Sequence, residues 1–135
     1  MPDFTRYSLA LLEGGQILYC AGGSGLRPLW DALEKFQGRS GLILHDKVIG
    51  LAAAMLIVRS AIIAEIHTKV ASRPAEEFLE KNGMILHAAD VAANILTRDQ
   101  SAICPGEIIA LGCPNTDEFI KSIRAFLGFQ AKDSR

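Results

Sequence analysis

The apolar and polar positions along the chain alternate between strand-like and helix-like segments. Short apolar runs bounded by glycine or polar residues predict strands, and apolar residues that repeat every three or four positions predict helices. Residues 7–13 fit either element. The predicted strands cover 16–20, 42–45, 62–70 and 84–87, and the predicted helices cover 27–36, 48–58, 72–81, 90–97, 104–112 and 117–127.

Two of these segments support more specific structural predictions. The helix at 48–58 is apolar on every side and follows Asp46, a favourable N-cap residue, so a buried helix is predicted to begin just after this aspartate. The strand at 62–70 alternates, with Glu65 and His67 on the wetter of its two faces, which is typical of a strand near a sheet edge. Ser72 is predicted to cap the next helix.

Strands that alternate with helices predict a layered α/β/α sheet. The chain has 135 residues, half of them hydrophobic, which is enough for one hydrophobic core. There is no internal repeat and no low-complexity linker. A single domain is therefore expected to cover 1–135, with frayed termini at 1–6 and 130–135.

Charge and composition exclude several classes of function. The net charge is −1, with acidic and basic residues interspersed, and the basic stripe of nucleic-acid-binding domains is missing. The apolar segments at 48–58 and 103–113 are shorter than the roughly 18–20 residues of a membrane-spanning helix. No secretory signal is recognisable before Glu13. Three cysteines without Cys-x-x-Cys spacing predict reduced thiols and a cytoplasmic protein.

Several short motifs between residues 25 and 128 carry a family resemblance. They are Gly-Leu-Arg-Pro-Leu at 25–29, Asp-Lys-Val-Ile-Gly-Leu-Ala-Ala at 46–53, the stretch 69–74, Arg-Asp at 98–99 and Ile-Cys-Pro-Gly-Glu at 103–107. This region, about three-quarters of the chain, resembles the DUF1893 family of small prokaryotic proteins of unknown function. The resemblance implies a three-layer α/β/α, cytidine-deaminase-like domain with a mixed central sheet.

The zinc ligands of deaminases are absent from the sequence. Zinc deaminases place His-x-Glu or Cys-x-Glu at one helix start and Pro-Cys-x-x-Cys at the next. The segment from Asp46 contains no such pair, and Ala75 and Phe78 stand where two cysteines would follow Pro74. The three histidines are widely spaced along the chain. We therefore predict no metal site, no cofactor and no zinc-dependent deamination.

Asp46 and Lys47 form the first candidate site. At a helix start, free N–H groups and the positive end of the helix dipole favour an anion, and Lys47 would add a positive charge. A desolvated lysine there would also serve as a base or nucleophile. Gly50 and its small neighbours would let a ligand approach the backbone. The alternative is that Asp46 only caps the helix and Lys47 is solvated.

A second candidate site is the Cys104-Pro-Gly-Glu107 motif. A thiol at a helix start has a lowered pKa and is a usable nucleophile at neutral pH, and Glu107 would transfer protons. The alternative is a buried, inert cysteine. Arg98 and Asp99, in the preceding loop, would clamp an anionic group, or would form a salt bridge within the loop.

Three hypotheses follow from these candidates. In the first, the starts of the helices after Asp46, Ser72 and Cys104 form a cleft that binds a small anionic or nucleotide-like ligand without catalysis. In the second, the same cleft belongs to a zinc-independent enzyme with Cys104 as nucleophile. In the third, the domain is a scaffold that acts through homo-oligomerisation, using the strand around Glu65.

Overall fold

The computed structural model describes residues 4–23, 26–93, 110–113 and 115–133. Within these ranges the strands are β1 (Leu9–Glu13), β2 (Gln16–Ala21), β3 (Leu42–Ile49), β4 (Ile63–Ser72) and β5 (Ile85–Ala92). The helices are α1 (Arg27–Lys35), α2 (Leu51–Ser60), α3 (Arg73–Lys81) and α4 (Thr116–Asp133).

The five strands form one mixed sheet in the order β2-β1-β3-β4-β5. Strand β1 is antiparallel to both β2 and β3, whereas β3, β4 and β5 run parallel. The parallel strands are joined by α2 and α3, because a parallel connection needs a crossover, usually a helix. The predicted α/β fold with a mixed central sheet flanked by helices is confirmed.

A single hydrophobic cluster joins the helices to one face of the sheet. Successive side chains on a strand point to opposite faces, and the alternate residues Leu9, Leu11, Leu44 and Ile66 belong to this cluster. Helices α1, α2, α3 and α4 contribute Leu29, Leu33, Ile57, Leu79 and Phe119, among others. Ala10 and His45 are also buried. They are register partners between Leu9 and Leu11 on β1 and next to Leu44 on β3, so they lie on the opposite face of the sheet.

The predicted start of the apolar helix is wrong. Strand β3 continues to Ile49, and the N-cap of α2 is Gly50, whose carbonyl accepts a 2.9 Å hydrogen bond from the Ala54 N–H. Asp46 is therefore inside a strand and caps no helix. The ladder extends this far because the Lys47 N–H donates to the Ser8 carbonyl at 2.9 Å. A buried strand and a buried helix both have continuous apolar sequences. The boundary between β3 and α2 therefore could not be located from the sequence.

Two further strand predictions are corrected. Strand β4 lies between β3 and β5, so its wetter face does not mark a sheet edge. Strand β5 continues to Ala92, with Asp90 opposite Val70, although a helix was predicted from Asp90. Glu65 and His67 are partly exposed on a central strand, and Asp90 is exposed on β5.

The predicted cap of α3 is confirmed. Ser72 is fully buried, and its Oγ accepts a 3.2 Å hydrogen bond from the Ala75 N–H. Pro74 in the first turn supports the same helix start. The side chain of Ser72 is thus already engaged by its own helix.

We expect Ser72→Ala to lower the free energy of unfolding by about 1 kcal/mol, because a buried N–H at the helix start loses its acceptor. Urea denaturation of both proteins measures this difference. Ser72→Asp, which keeps a capping oxygen but adds buried charge, provides a second comparison. Equal stability of Ser72→Ala and the parent chain would show that the cap contributes nothing.

Candidate functional site

Three histidines lie side by side on the sheet face that is opposite the helical cluster. In the strand register, His45 of β3 is opposite His67 of β4, and His67 is opposite His87 of β5. Ala10 of β1 continues the same row next to His45. We call the surface that carries Ala10, His45, His67 and His87 the histidine face.

The imidazole rings of this row are in contact. The centroids of His67 and His87 are 4.5 Å apart with an angle of 19° between the ring planes, so these rings are stacked. The rings of His45 and His67 meet edge to face, with centroids 5.3 Å apart. The His45 residue is 7% exposed, and the side chains of His67 and His87 are 28% and 55% exposed. The row thus runs from the protein interior to solvent.

Glu65 supplies the negative charge next to this row. One carboxylate oxygen is 2.6 Å from Nε2 of His67, and the other is 3.9 Å from Nε2 of His87. The hydrogen bond with His67 holds the pKa of the Glu65 carboxyl below its usual range. The carboxylate therefore stays ionised and lies within reach of both imidazoles.

His45 is the buried end of the row. Its Nδ1 shares a 2.9 Å hydrogen bond with the hydroxyl of Tyr7, whose ring also lies against the imidazole. Burial, together with the nearby His67, lowers the pKa of His45. Since one ring nitrogen is already held by Tyr7, His45 is less available as a ligand than its two neighbours.

Two lysines follow the histidines on the same face. Lys47 and Lys69 come two residues after His45 and His67, and the register of Asp46 with Thr68 shows no shift at this point. Alternation from His45 and His67 would direct both lysines to the histidine face, although Ile49 and Ala71, two residues further on, belong to the helical cluster. Both are exposed, and no ion pair involves either of them within the described part of the chain.

Asp46 points to the other face of the sheet. It lies between Leu9 and Thr68 in the register and is half-buried. Burial raises its pKa to about 8, although the N–H groups of Val48 and Lys47 donate to its carboxylate and oppose this shift. Asp46 and Lys47 are thus adjacent in sequence but on opposite sides of the sheet.

The other predicted site residues that the structure describes, Gly50 and Ser72, lie at helix starts. Gly50 caps α2, and the Ser72 hydroxyl is engaged by α3. Beside these helix starts lies an open groove of about 690 Å³, which contains two glutamates and one lysine and is therefore a poor anion site. Its lining residues are Leu51, Pro74, Glu77, Phe78, Glu80 and Lys81. Arg98, Asp99, Cys104 and Glu107 lie outside the described residues, and their roles stay predictions.

The sequence separation of the three histidines gave no indication of the histidine row. His45, His67 and His87 are 22 and 20 residues apart, and each strand–helix–strand unit returns the chain to the same row of the sheet. A sequence signal was present, because Ile-Leu-His occurs at both 43–45 and 85–87 and Glu-Ile-His occurs at 65–67. The same tripeptide position in parallel strands would have suggested a common row.

The deaminase zinc motif was sought at the starts of the helices that join the described strands. No histidine or cysteine occurs in the first turn of α1, α2 or α3. The likeness to cytidine deaminases themselves stays a prediction. No helix in the described ranges combines the length and apolar character that crossing a membrane requires.

Comparison with known proteins identifies relatives without a known function. The family model of a domain of unknown function, DUF1893, matches residues 3–127. The chain is also similar to the crystal structure of a DUF1893 family protein from Thermotoga maritima, with a TM-score of 0.82 and 25% sequence identity over 90% of this chain and 82% of that chain. No curated protein matches.

Proposed function

Since the chain belongs to the DUF1893 family, a domain family of unknown function, we propose from its geometry that it binds a small anionic ligand on the histidine face. The observation that carries this proposal is that Lys47 and Lys69 are exposed on adjacent parallel strands, each two residues after a histidine of the row. The proposed ligand is still a small anion, and Lys47 still binds it through its positive charge, as the sequence predicted. The location is the open sheet face, since Lys47 does not lie at a helix start.

The charges of this face favour an anion near the lysines. Two ammonium groups lie on one side of the histidine row, and Glu65 lies on the other side, two residues before His67. The carboxylate is already engaged by His67, which leaves the lysines free to meet an anionic group. Charge-assisted hydrogen bonds to phosphate or carboxylate oxygens are the strong type of hydrogen bond.

The structure of the face also suits a small ligand. Lys47 and Lys69 extend from adjacent parallel strands, so their backbone spacing is fixed by the sheet. The imidazoles of His67 and His87 offer N–H groups and a flat stacked surface beside them. A phosphate, or the phosphate and base of a nucleotide, would find a charged group and a ring surface within one patch.

We expect inorganic phosphate and cytidine monophosphate to raise the melting temperature of the parent chain, and Lys47→Ala combined with Lys69→Ala to abolish this rise. A hydrogen bond to a charged group contributes about 1.5 kcal/mol or more, so each lysine should account for roughly a tenfold change in affinity. Titrations in the presence of EDTA, with the ionic strength held constant by sodium chloride, measure the ligand affinity directly.

Lys121→Ala provides the matched control, because Lys121 is an exposed lysine on α4. It should bind both probes as the parent chain does. Equal affinity of the double lysine variant and the Lys121 variant would refute the proposed site. Absence of any saturable binding of these probes to the parent chain would refute the proposed ligand class.

A further inference from the structure

The cluster formed by Glu65, His67 and His87 has the composition of a metal site. One potential ligand atom from each side chain lies within 4.8 Å of the others. Two imidazole nitrogens and one carboxylate oxygen suit first-row transition metals and form the protein ligand set of several catalytic zinc sites. We propose that Glu65, His67 and His87 bind a divalent first-row transition metal ion on the histidine face.

The observed distances are close to those of a bound ion. Zinc lies about 2.0–2.2 Å from nitrogen and oxygen ligands, so tetrahedral ligands are about 3.4 Å apart. The two carboxylate oxygens of Glu65 are 2.6 Å and 3.9 Å from the Nε2 atoms of His67 and His87. A small rotation of the Glu65 side chain lengthens the first separation and shortens the second. Coordination therefore requires adjustment of side chains whose ligand atoms already lie within 4.8 Å of one another.

The sheet fixes the positions of all three ligands. Glu65 and His67 are two residues apart on β4 and so share a face, and His87 is the register partner of His67 on β5. Ligands on adjacent paired strands are held more accurately than ligands on loops. The stacking of His67 on His87 holds the two imidazole rings, with centroids 4.5 Å apart, next to each other before any ion binds.

The surroundings of the cluster also fit an accessible metal centre. The side chains of Glu65 and His67 are about one-third exposed, and His87 is more exposed, so an ion has a path to the ligands. Three protein ligands leave at least one coordination position for water or another ligand. On the buried side, the His45 ring packs edge to face with His67, and the Tyr7 hydroxyl in turn shares a hydrogen bond with His45.

A hydrogen-bonded Glu65–His67 pair without a metal would explain the 2.6 Å contact equally well. It would not require His87, whose Nε2 is 3.9 Å from the carboxylate and makes only a long ion pair. The role of His87 therefore distinguishes a metal site from a simple pair. The anion site takes its positive charge from Lys47 and Lys69, which are not metal ligands, so variants of these lysines test the two proposals separately.

The test is metal binding by the full chain, purified without a histidine tag and treated with EDTA. Zinc affinity is measured by competition with a chromophoric chelator, and the visible absorption of the cobalt(II) form reports the coordination geometry. We expect one equivalent of zinc and the intense bands of four- or five-coordinate cobalt. His87→Gln and Glu65→Gln should each weaken zinc binding at least 100-fold, more than the 10–100-fold typical of outer-shell changes.

Glu80→Gln is the matched control, because Glu80 is an exposed glutamate on α3, and it should leave the affinity unchanged. Circular dichroism establishes that each variant is folded. Zinc affinity that is unchanged in His87→Gln, or a cobalt spectrum typical of hexa-aqua ions, would overturn the metal site. The Lys47→Ala and Lys69→Ala chain should still bind zinc, and loss of anion binding without loss of zinc would separate the two sites.

Discussion

Asp46→Asn is expected to make the protein more stable at pH 8 and to remove part of its pH dependence. Burial raises the pKa of Asp46 from 3.8 to about 8, so the folded chain binds this proton more tightly than the unfolded chain does. The stabilising effect is complete below about pH 4 and is lost as the pH rises through about 8. Asparagine is neutral at every pH and still accepts hydrogen bonds from the N–H groups of Lys47 and Val48.

The expected gain at pH 8 is about 2 kcal/mol. A shift of about four pKa units corresponds to an upper limit of roughly 6 kcal/mol, but Asp46 is only half-buried, and water reduces the effect. Urea denaturation of both proteins between pH 4 and pH 9 measures the difference. Asp31→Asn, at an exposed ion pair with Arg27, is the control and should change stability by less than about 1 kcal/mol. If the free energies of unfolding of Asp46→Asn and the parent chain change in parallel with pH, the raised pKa of Asp46 is contradicted.

Phe119→Ala is expected to lower the free energy of unfolding by about 3–5 kcal/mol, a large part of the total stability of a small domain. Phe119 is fully buried and belongs to the same hydrophobic cluster as α2 and the sheet. Its loss leaves a cavity between α4 and the rest of the fold. The effect would show that α4 is part of the cooperative unit.

Lys121→Ala, on the exposed side of α4, separates loss of packing from a change in helix propensity. It should change stability by less than about 0.5 kcal/mol. The measurement is urea denaturation followed by both circular dichroism and tryptophan fluorescence of Trp30 on α1. If the two signals of Phe119→Ala give different midpoints, α4 unfolds independently. If Phe119→Ala has the stability of Lys121→Ala, α4 does not pack as described.

The amphipathic helices could be predicted from the sequence. The predicted starts of α1 and α3 are confirmed, and Phe119, Ile120 and Ile123, which repeat at helical spacing, are buried on α4. Each of these signals lies within one element, where the repeat of apolar residues and a local cap determine the outcome. Helix α4 continues beyond its predicted end at Leu127 to Asp133, although Gly128 follows Leu127 directly.

The candidate site could not be predicted in the same way. The histidine row depends on the register of three parallel strands, and a parallel register is set by contacts between distant residues. Lys47 was correctly chosen as a candidate, but it was assigned to a helix start, since the apolar run after it hides the junction of β3 and α2. The wrong prediction of Asp46 as a helix cap and the wrong placement of Lys47 at a helix start therefore have one cause, the ambiguity of long apolar segments.

The register of the parallel strands has a consequence for how the chain folds. A slip of β4 by one residue would turn His67 and Glu65 toward the helices and Ile66 toward water, since neighbouring residues occupy opposite faces. Such a slip would bury two polar side chains in the interior and expose one large apolar side chain to water. Misregistered sheets are therefore strongly disfavoured. The contact between His67 and His87 forms only when β5 has joined β4 in the native pairing. The ring proton resonances of these histidines would therefore report the completion of folding.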